Sequence, residues 1–116
     1  MNTPVFSVGE KIHIITRRLF PKDVNQHFAG EIQAVSADQI RVEGHVFVYN
    51  SGKNEYEKRP EKRIRIFFMS GAGHIVIILP KSANLESLHY ANKNGRLVFT
   101  DEKGFSLDIN EFVPIS

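Results

Sequence analysis

Phe28-Ala-Gly-Glu-Ile-Gln-Ala-Val-Ser-Ala-Asp-Gln-Ile-Arg-Val-Glu-Gly-His-Val-Phe-Val-Tyr-Asn50 reads as two alternating strands joined by a short polar turn, with one glycine inside each. In the first strand Phe28, Gly30, Ile32 and Ala34 share a face, and Glu31 and Gln33 lie opposite. In the second, Ile40, Val42, Val46 and Val48 face inward while Arg41, Glu43 and His45 face out. Ser36-Ala-Asp38 supplies the turn. Glycine in a strand interior marks a sharp bend or a close backbone approach, and such bends let a small sheet curl on itself. Gly44, midway along the apolar face, is the expected corner. The expected fold is mainly β: a small, strongly bent antiparallel barrel.

The flanking sequence extends this pattern. Lys11 to Thr16 is β-branched-rich, and Pro21-Lys-Asp23 breaks it before the stretch quoted above. Asn50-Ser-Gly-Lys-Asn54 predicts a hairpin, because Asn and Gly tolerate the positive φ of tight turns. The chain is expected to return through Glu55 to Arg59 before Pro60 interrupts the ladder. Lys62 to Met69 alternates, with Ile64, Ile66 and Phe68 on one side and Arg63 and Arg65 on the other. Ser70-Gly-Ala-Gly73 turns into His74 to Leu79, which is apolar on both faces and is expected to be covered on both. Beyond Pro80, a cap at Ser82 or Asn84 and the spacing of Leu85, Leu88 and Ala91 predict one short helix ending before Gly95. Arg96 to Thr100 and Phe105 to Phe112 predict a C-terminal hairpin around Asp101-Glu-Lys-Gly104. A single domain over 1–116 follows, with a barrel core over 10–79 and an extension over 80–116.

With 116 residues the chain can bury a core without covalent staples. It has no cysteine, which excludes disulfides, thiolate metal sites and cysteine nucleophiles. No basic-then-apolar leader and no apolar run of membrane-spanning length is visible, so a bacterial-type cytoplasm, without a membrane partner, is the expected address. The net charge of +2 is unevenly spread. Lys53 to Arg65 holds six basic residues against three acidic ones, whereas Asp101 to the C-terminus holds four acids and one lysine. Such a split favours one basic face. It equally suits a charged hairpin edge that discourages aggregation.

No phosphate-binding loop, nucleophile elbow or dinucleotide fingerprint occurs. The five histidines, His13, His27, His45, His74 and His89, lack metal-ligand spacing and are expected at the outer or core-edge face. Asp101, Asp108 and Glu111 place carboxylates near one another on the last hairpin, but alternation with Leu107 and Ile109 explains them as exposed strand positions. The sequence thus calls for no enzyme, cofactor or metal. The remaining constellation is basic with aromatics beside it. Single-stranded RNA is held by cations on phosphates and flat rings under bases. That chemistry singles out Arg17, Arg18, Arg63 and Arg65 for phosphates and Tyr49 or Tyr56 for stacking. Glu55, Glu57 and Glu61 interleave the hairpin cations and weaken their field. The alternative is a protein-interaction or assembly module with no nucleic acid, whose edge strands at Arg63 to Met69 and His74 to Leu79 pair across subunits or take up a partner strand. A homo-oligomer is expected in either case.

Phe28-Ala-Gly30-Glu-Ile32-Gln-Ala-Val35 resembles the first half of the first motif of the Sm-like barrels, and Ser70-Gly71-Ala-Gly73-His-Ile75 loosely resembles the basic-Gly turn of the second. The resemblance covers about the first two thirds of the chain. It implies an SH3-like or Sm-like framework and a homo-oligomer. It does not carry over the family's RNA contacts: Ser36 or Asp38 stands for the family's Asp, Ile40 and Arg41 occupy the place of its base-contacting Asn, and Ser70 replaces the basic residue. Function inferred from such a framework is analogy.

Overall fold

The structure is a computed structural model, which describes residues 5–16, 26–50, 52, 55–70, 74–93 and 96–108. The chain is mainly β. Its strands are β1 (Lys11–Thr16), β2 (Gln26–Ser36), β3 (Gln39–Asn50), β4 (Glu55–Lys58), β5 (Arg63–Phe68), β6 (His74–Ile78), β7 (His89–Lys93), β8 (Arg96–Thr100) and β9 (Ser106–Asp108). All described pairings are antiparallel. The main sheet runs β4-β3-β2-β1-β6, with β5 also on β3, and a second sheet runs β7-β8-β9.

The two glycines of the quoted stretch lie directly opposite one another, Gly30 against Gly44. Here the backbones of β2 and β3 approach too closely for a side chain. A Cβ on Gly44 would lie 1.9 Å from the Ala29 carbonyl oxygen, and one on Gly30 would lie 2.2 Å from that of Glu43. The register of this pair shifts once, between Ile32 and Ala34. Ala37, at φ 45°, turns the chain from β2 into β3. Beyond the glycine pair β3 changes partner. Gln39 to Gly44 pairs with β5, and Phe47 to Asn50 pairs with β4.

Two cores result, one on each side of the main sheet. The inner core is aliphatic: Ile12, Ile14, Phe28, Ile32, Ile40, Val42 and Val46, with Phe6, Val48, Phe67, Met69 and Val76 against it. The outer core is aromatic. Ala29, Phe47 and Tyr56 of the main sheet meet Leu88, Leu97 and Phe99 of the C-terminal segment, with Leu79 and Ala83 at its edge. The extension therefore covers the outer face of the sheet.

The described residues refine the expected fold in several places. Hydrogen-bonded closure into a barrel is not present among the described residues: β5 pairs with β3, β6 pairs with β1, and no ladder joins the two. The short helix reduces to a single 3-10 turn at Leu85–Ser87, capped by the Asn84 side chain. Leu88 and Tyr90 also fit a period of two, and the cross-strand ladder with β8 takes the backbone that a helix would have used. The alternation of β5 holds, and its pairing decides which side is inner. Phe67 and Arg65 pair with Ile40 and Val42 and face the inner core, leaving Ile64, Ile66 and Phe68 outward. A strand's side chains alternate, so a one-residue change of phase exchanges the faces completely, and the Phe67-Phe68 doublet supplies either phase with an aromatic. Finally, His13 and His45 are buried, because the C-terminal sheet covers the face read as outward.

Within the extension, the expected β8–β9 hairpin forms around Asp101 to Gly104, with Gly104 at φ 118°. The buried Asp101 carboxylate accepts from the backbone N–H groups of Asn84 (2.9 Å), Lys103 (2.8 Å) and Phe105 (3.0 Å). Those bonds, the one from Asn84 above all, hold its pKa below the usual carboxylate range. Asp101 is thus a fastener between two loops. Asp108 is described in its backbone alone, and Glu111 lies outside the described residues.

Candidate functional site

Among the described residues β4, β5 and β6 each pair on one side only; β4 lies against β7, which leaves β5 and β6 as the open edges of the main sheet. Unpaired edges carry free N–H and C=O groups that template pairing with another chain. Both edges are also apolar. Ile64, Ile66 and Phe68 of β5 are 62%, 52% and 56% exposed, and Ile75 and Ile78 of β6 are 46% and 49% exposed. Of β6, Val76 packs on the inner core and Ile77 on the outer one, so its expected two-sided cover is half realised within the chain.

The basic residues gather beside β5. Arg59, Arg63 and Arg65, with Gln26, Val46, Val48, Pro60 and Glu61, line an open cleft of about 520 Å³. The Arg65 guanidinium lies 5.8 Å from the centre of the Phe28 ring, and so caps the open end of the inner core. Arg63 pairs with Glu61 at 2.7 Å. Lys58 Nζ donates to the Glu86 carbonyl at 2.7 Å, and Lys62 pairs with the Glu86 carboxylate at 3.0 Å. That last bond raises the Lys62 pKa and lowers that of Glu86. Both groups are exposed, and such pairs contribute little stability.

The residues singled out for RNA thus divide. Arg63 and Arg65 share the cleft. Arg17 and Arg18 lie outside the described residues. Tyr49 is half-buried against the outer core. Tyr56 is only 5% exposed and is stacked between His27 and Tyr90, at ring distances of 4.4 and 4.7 Å. A ring already sandwiched on both faces offers no platform to a base, so Tyr56 is a core residue. Arg59 enters the cleft through the turn at Pro60, which a strand-by-strand reading does not place.

A second cluster lies in the outer core. His13 of β1 and His27 of β2 both contact the hydroxyl of Tyr90 from β7: His13 Nε2 at 2.8 Å, and His27 Nδ1. His13 also stacks on Phe99 at 4.2 Å. Burial drives its pKa down to about 3, with His27 adding a smaller repulsion, and burial drives that of His27 down to about 4. Burial likewise pushes the Tyr90 phenol well up. The sequence carried one signal of this layer: His13 stands between isoleucines, on a strand that turns out to be buried on both faces.

No family model, curated protein or solved structure matches the chain. Among the described residues there is no group of three or more His, Cys, Asp or Glu side chains able to hold a metal ion, and no helix long and apolar enough to cross a membrane.

Proposed function

We propose that the chain is an assembly module whose copies join head to tail, the β5 edge of one against the β6 edge of the next. The observation that carries this reading is the coincidence of free edges with exposed apolar side chains: Ile64, Ile66, Phe68, Ile75 and Ile78 lie on the two unpaired strands. Full burial of such a side chain is worth about 1.5–3 kcal/mol, so five of them supply a driving force that a lone copy forgoes. The two edges belong to opposite ends of one sheet, which makes the contact heterologous. Heterologous contacts generate closed rings or open filaments. The close approach of β2 and β3 at Gly30 and Gly44 and the apolar β6 paired with β1 support an Sm-like framework for the subunit.

The test is mass against concentration by sedimentation. The wild-type chain is expected as a discrete oligomer, and Ile64→Lys with Ile66→Lys as a monomer of native fold. Wild-type protein that stays monomeric at about 100 μM, well above the dissociation constants of stable complexes, contradicts the reading.

The arginine cleft favours a second reading, in which the assembled module holds single-stranded RNA by its phosphates along Arg59, Arg63 and Arg65. Anisotropy with short labelled poly-U at about 50 and 200 mM salt is expected to show affinity falling steeply with salt. Absence of binding at the lower salt removes it.

A further inference from the structure

The Tyr90 hydroxyl is the polar contact through which β1 and β2 of the main sheet meet β7 of the C-terminal sheet in the outer core. It has one proton to donate, and two imidazoles face it. In the neutral cluster His13 Nε2–H donates to Tyr90 Oη, and the hydroxyl donates to His27 Nδ1. This leaves only the His13 Nδ1 lone pair, which is buried and has no partner among the described residues. Adding a proton has no such cheap solution. Placed on His13, it makes Nδ1–H a buried donor without an acceptor. Placed on His27, it makes Nδ1 a donor to Tyr90, and the hydroxyl proton must then turn away from both rings, or be donated to His13 Nε2 after the His13 proton has moved to its partnerless Nδ1. Each arrangement creates an orphaned buried donor, and such groups are costly.

We propose that this shared hydroxyl is an acid-sensitive latch: a proton entering the His13–Tyr90–His27 chain releases the C-terminal sheet from the outer face of the main sheet while the inner core stays folded. The surroundings support a local release. Of the groups that face the pair, β4 contributes Tyr56, β7 Tyr90, β3 Phe47 and β8 Phe99. None of these is a carboxylate that would welcome an imidazolium. His45, further along β3, also has its pKa lowered, by burial first, with Lys58 and Lys62 adding repulsion and Glu86 opposing them. Lys11 Nζ is tied to the carbonyls of Lys81 and Ala83. The inner-core cluster is apolar, and the titratable groups at its margin are His74, edge-on to Phe67 and with its pKa lowered by burial, and Arg65 over Phe28.

The sign follows from linkage. Both histidines prefer the neutral form when buried and regain their ordinary value near 6.5 on release. The released state therefore binds more protons as pH falls below about 6.5, and the closed state loses ground until about pH 4 through His27 and about pH 3 through His13. For two such groups, the population of the released form rises on the order of several hundredfold between about pH 7.5 and about pH 5.

The test is amide hydrogen exchange corrected for intrinsic rates. Protection over His89–Lys93 and Arg96–Thr100 is expected to fall by about that factor at about pH 5, while amides of β2 and β3 around Ile32 and Val42 keep theirs. The double variant His13→Leu, His27→Leu is expected to lose this pH dependence whatever its absolute protection. Should that variant fail to fold, the imidazole resonances of the wild-type protein decide. The proposal expects His13 and His27 to stay neutral in the native state down to about pH 5. Native rings that titrate near 6.5, a C-terminal sheet that keeps its protection relative to the main sheet, or loss of both sheets together overturns it.

Discussion

The two halves of β3 have opposite surroundings. From Phe47 to Asn50 the strand is shared with β4, and the C-terminal sheet lies over it. From Gln39 to Gly44 it is shared with β5, whose outward residues Ile64, Ile66 and Phe68 remain more than half exposed. One strand thus has an intramolecular cover at one end and exposed apolar side chains beside it at the other. The difference suggests a division of labour: the covered half holds the fold together, and the uncovered half is available for a second copy.

The largest effect is expected where the halves meet. Gly44→Ala would drive a methyl group into the Ala29 carbonyl, a backbone atom that cannot swing away. A loss of at least about 3 kcal/mol, at the upper end of overpacking costs, is expected from the denaturant midpoint. Phe99→Ala breaks the covered half alone. It empties the space against His13, Phe47 and Tyr90, and a cost of about 3–5 kcal/mol is expected. The inner core should stay ordered by the near-ultraviolet and exchange signals of its own residues.

Acid sharpens the same contrast without a substitution. The stability that His13 and His27 hold in full above about pH 6.5 is expected to decline as pH falls toward 4, by roughly 3–4 kcal/mol for the pair at about pH 5. A flat thermal midpoint between about pH 7 and pH 5 would show that the buried pair does not govern the covered half. The smallest effect on stability belongs to the uncovered half. Ile66→Lys is expected to change the unfolding free energy by less than about 0.5 kcal/mol, as exposed positions do, while lowering the oligomeric mass.

The inner half of this architecture was legible from alternation. Phe28, Ile32, Ile40 and Val42 fall in one phase, and Gly30 and Gly44 interrupt it where the strands nearly touch. The outer half was not. Alternation shows which residues share a face but not what covers that face, so His13, His45 and Tyr56 read as exposed until the C-terminal sheet was placed. Of that sheet, β8 and β9 were legible as a hairpin and β7 was not, because Leu85, Leu88 and Ala91 match a helical period while Leu88 and Tyr90 match a strand. For β5, Arg63 to Phe68 offers two acceptable phases, and only pairing with Ile40 and Val42 decides between them. The Arg59 cleft needed the turn at Pro60 in three dimensions.

The head-to-tail arrangement is tested most directly by mixing two broken copies. Ile66→Lys with Phe68→Lys disables β5 and leaves β6 intact, and Ile75→Lys does the reverse. By native mass spectrometry each variant alone is expected as a monomer, and the equimolar mixture as a one-to-one dimer that grows no further, since one good edge of each kind remains. Variants that keep the wild-type mass when alone, or a mixture that stays monomeric while the wild-type chain assembles, would contradict pairing between β5 and β6.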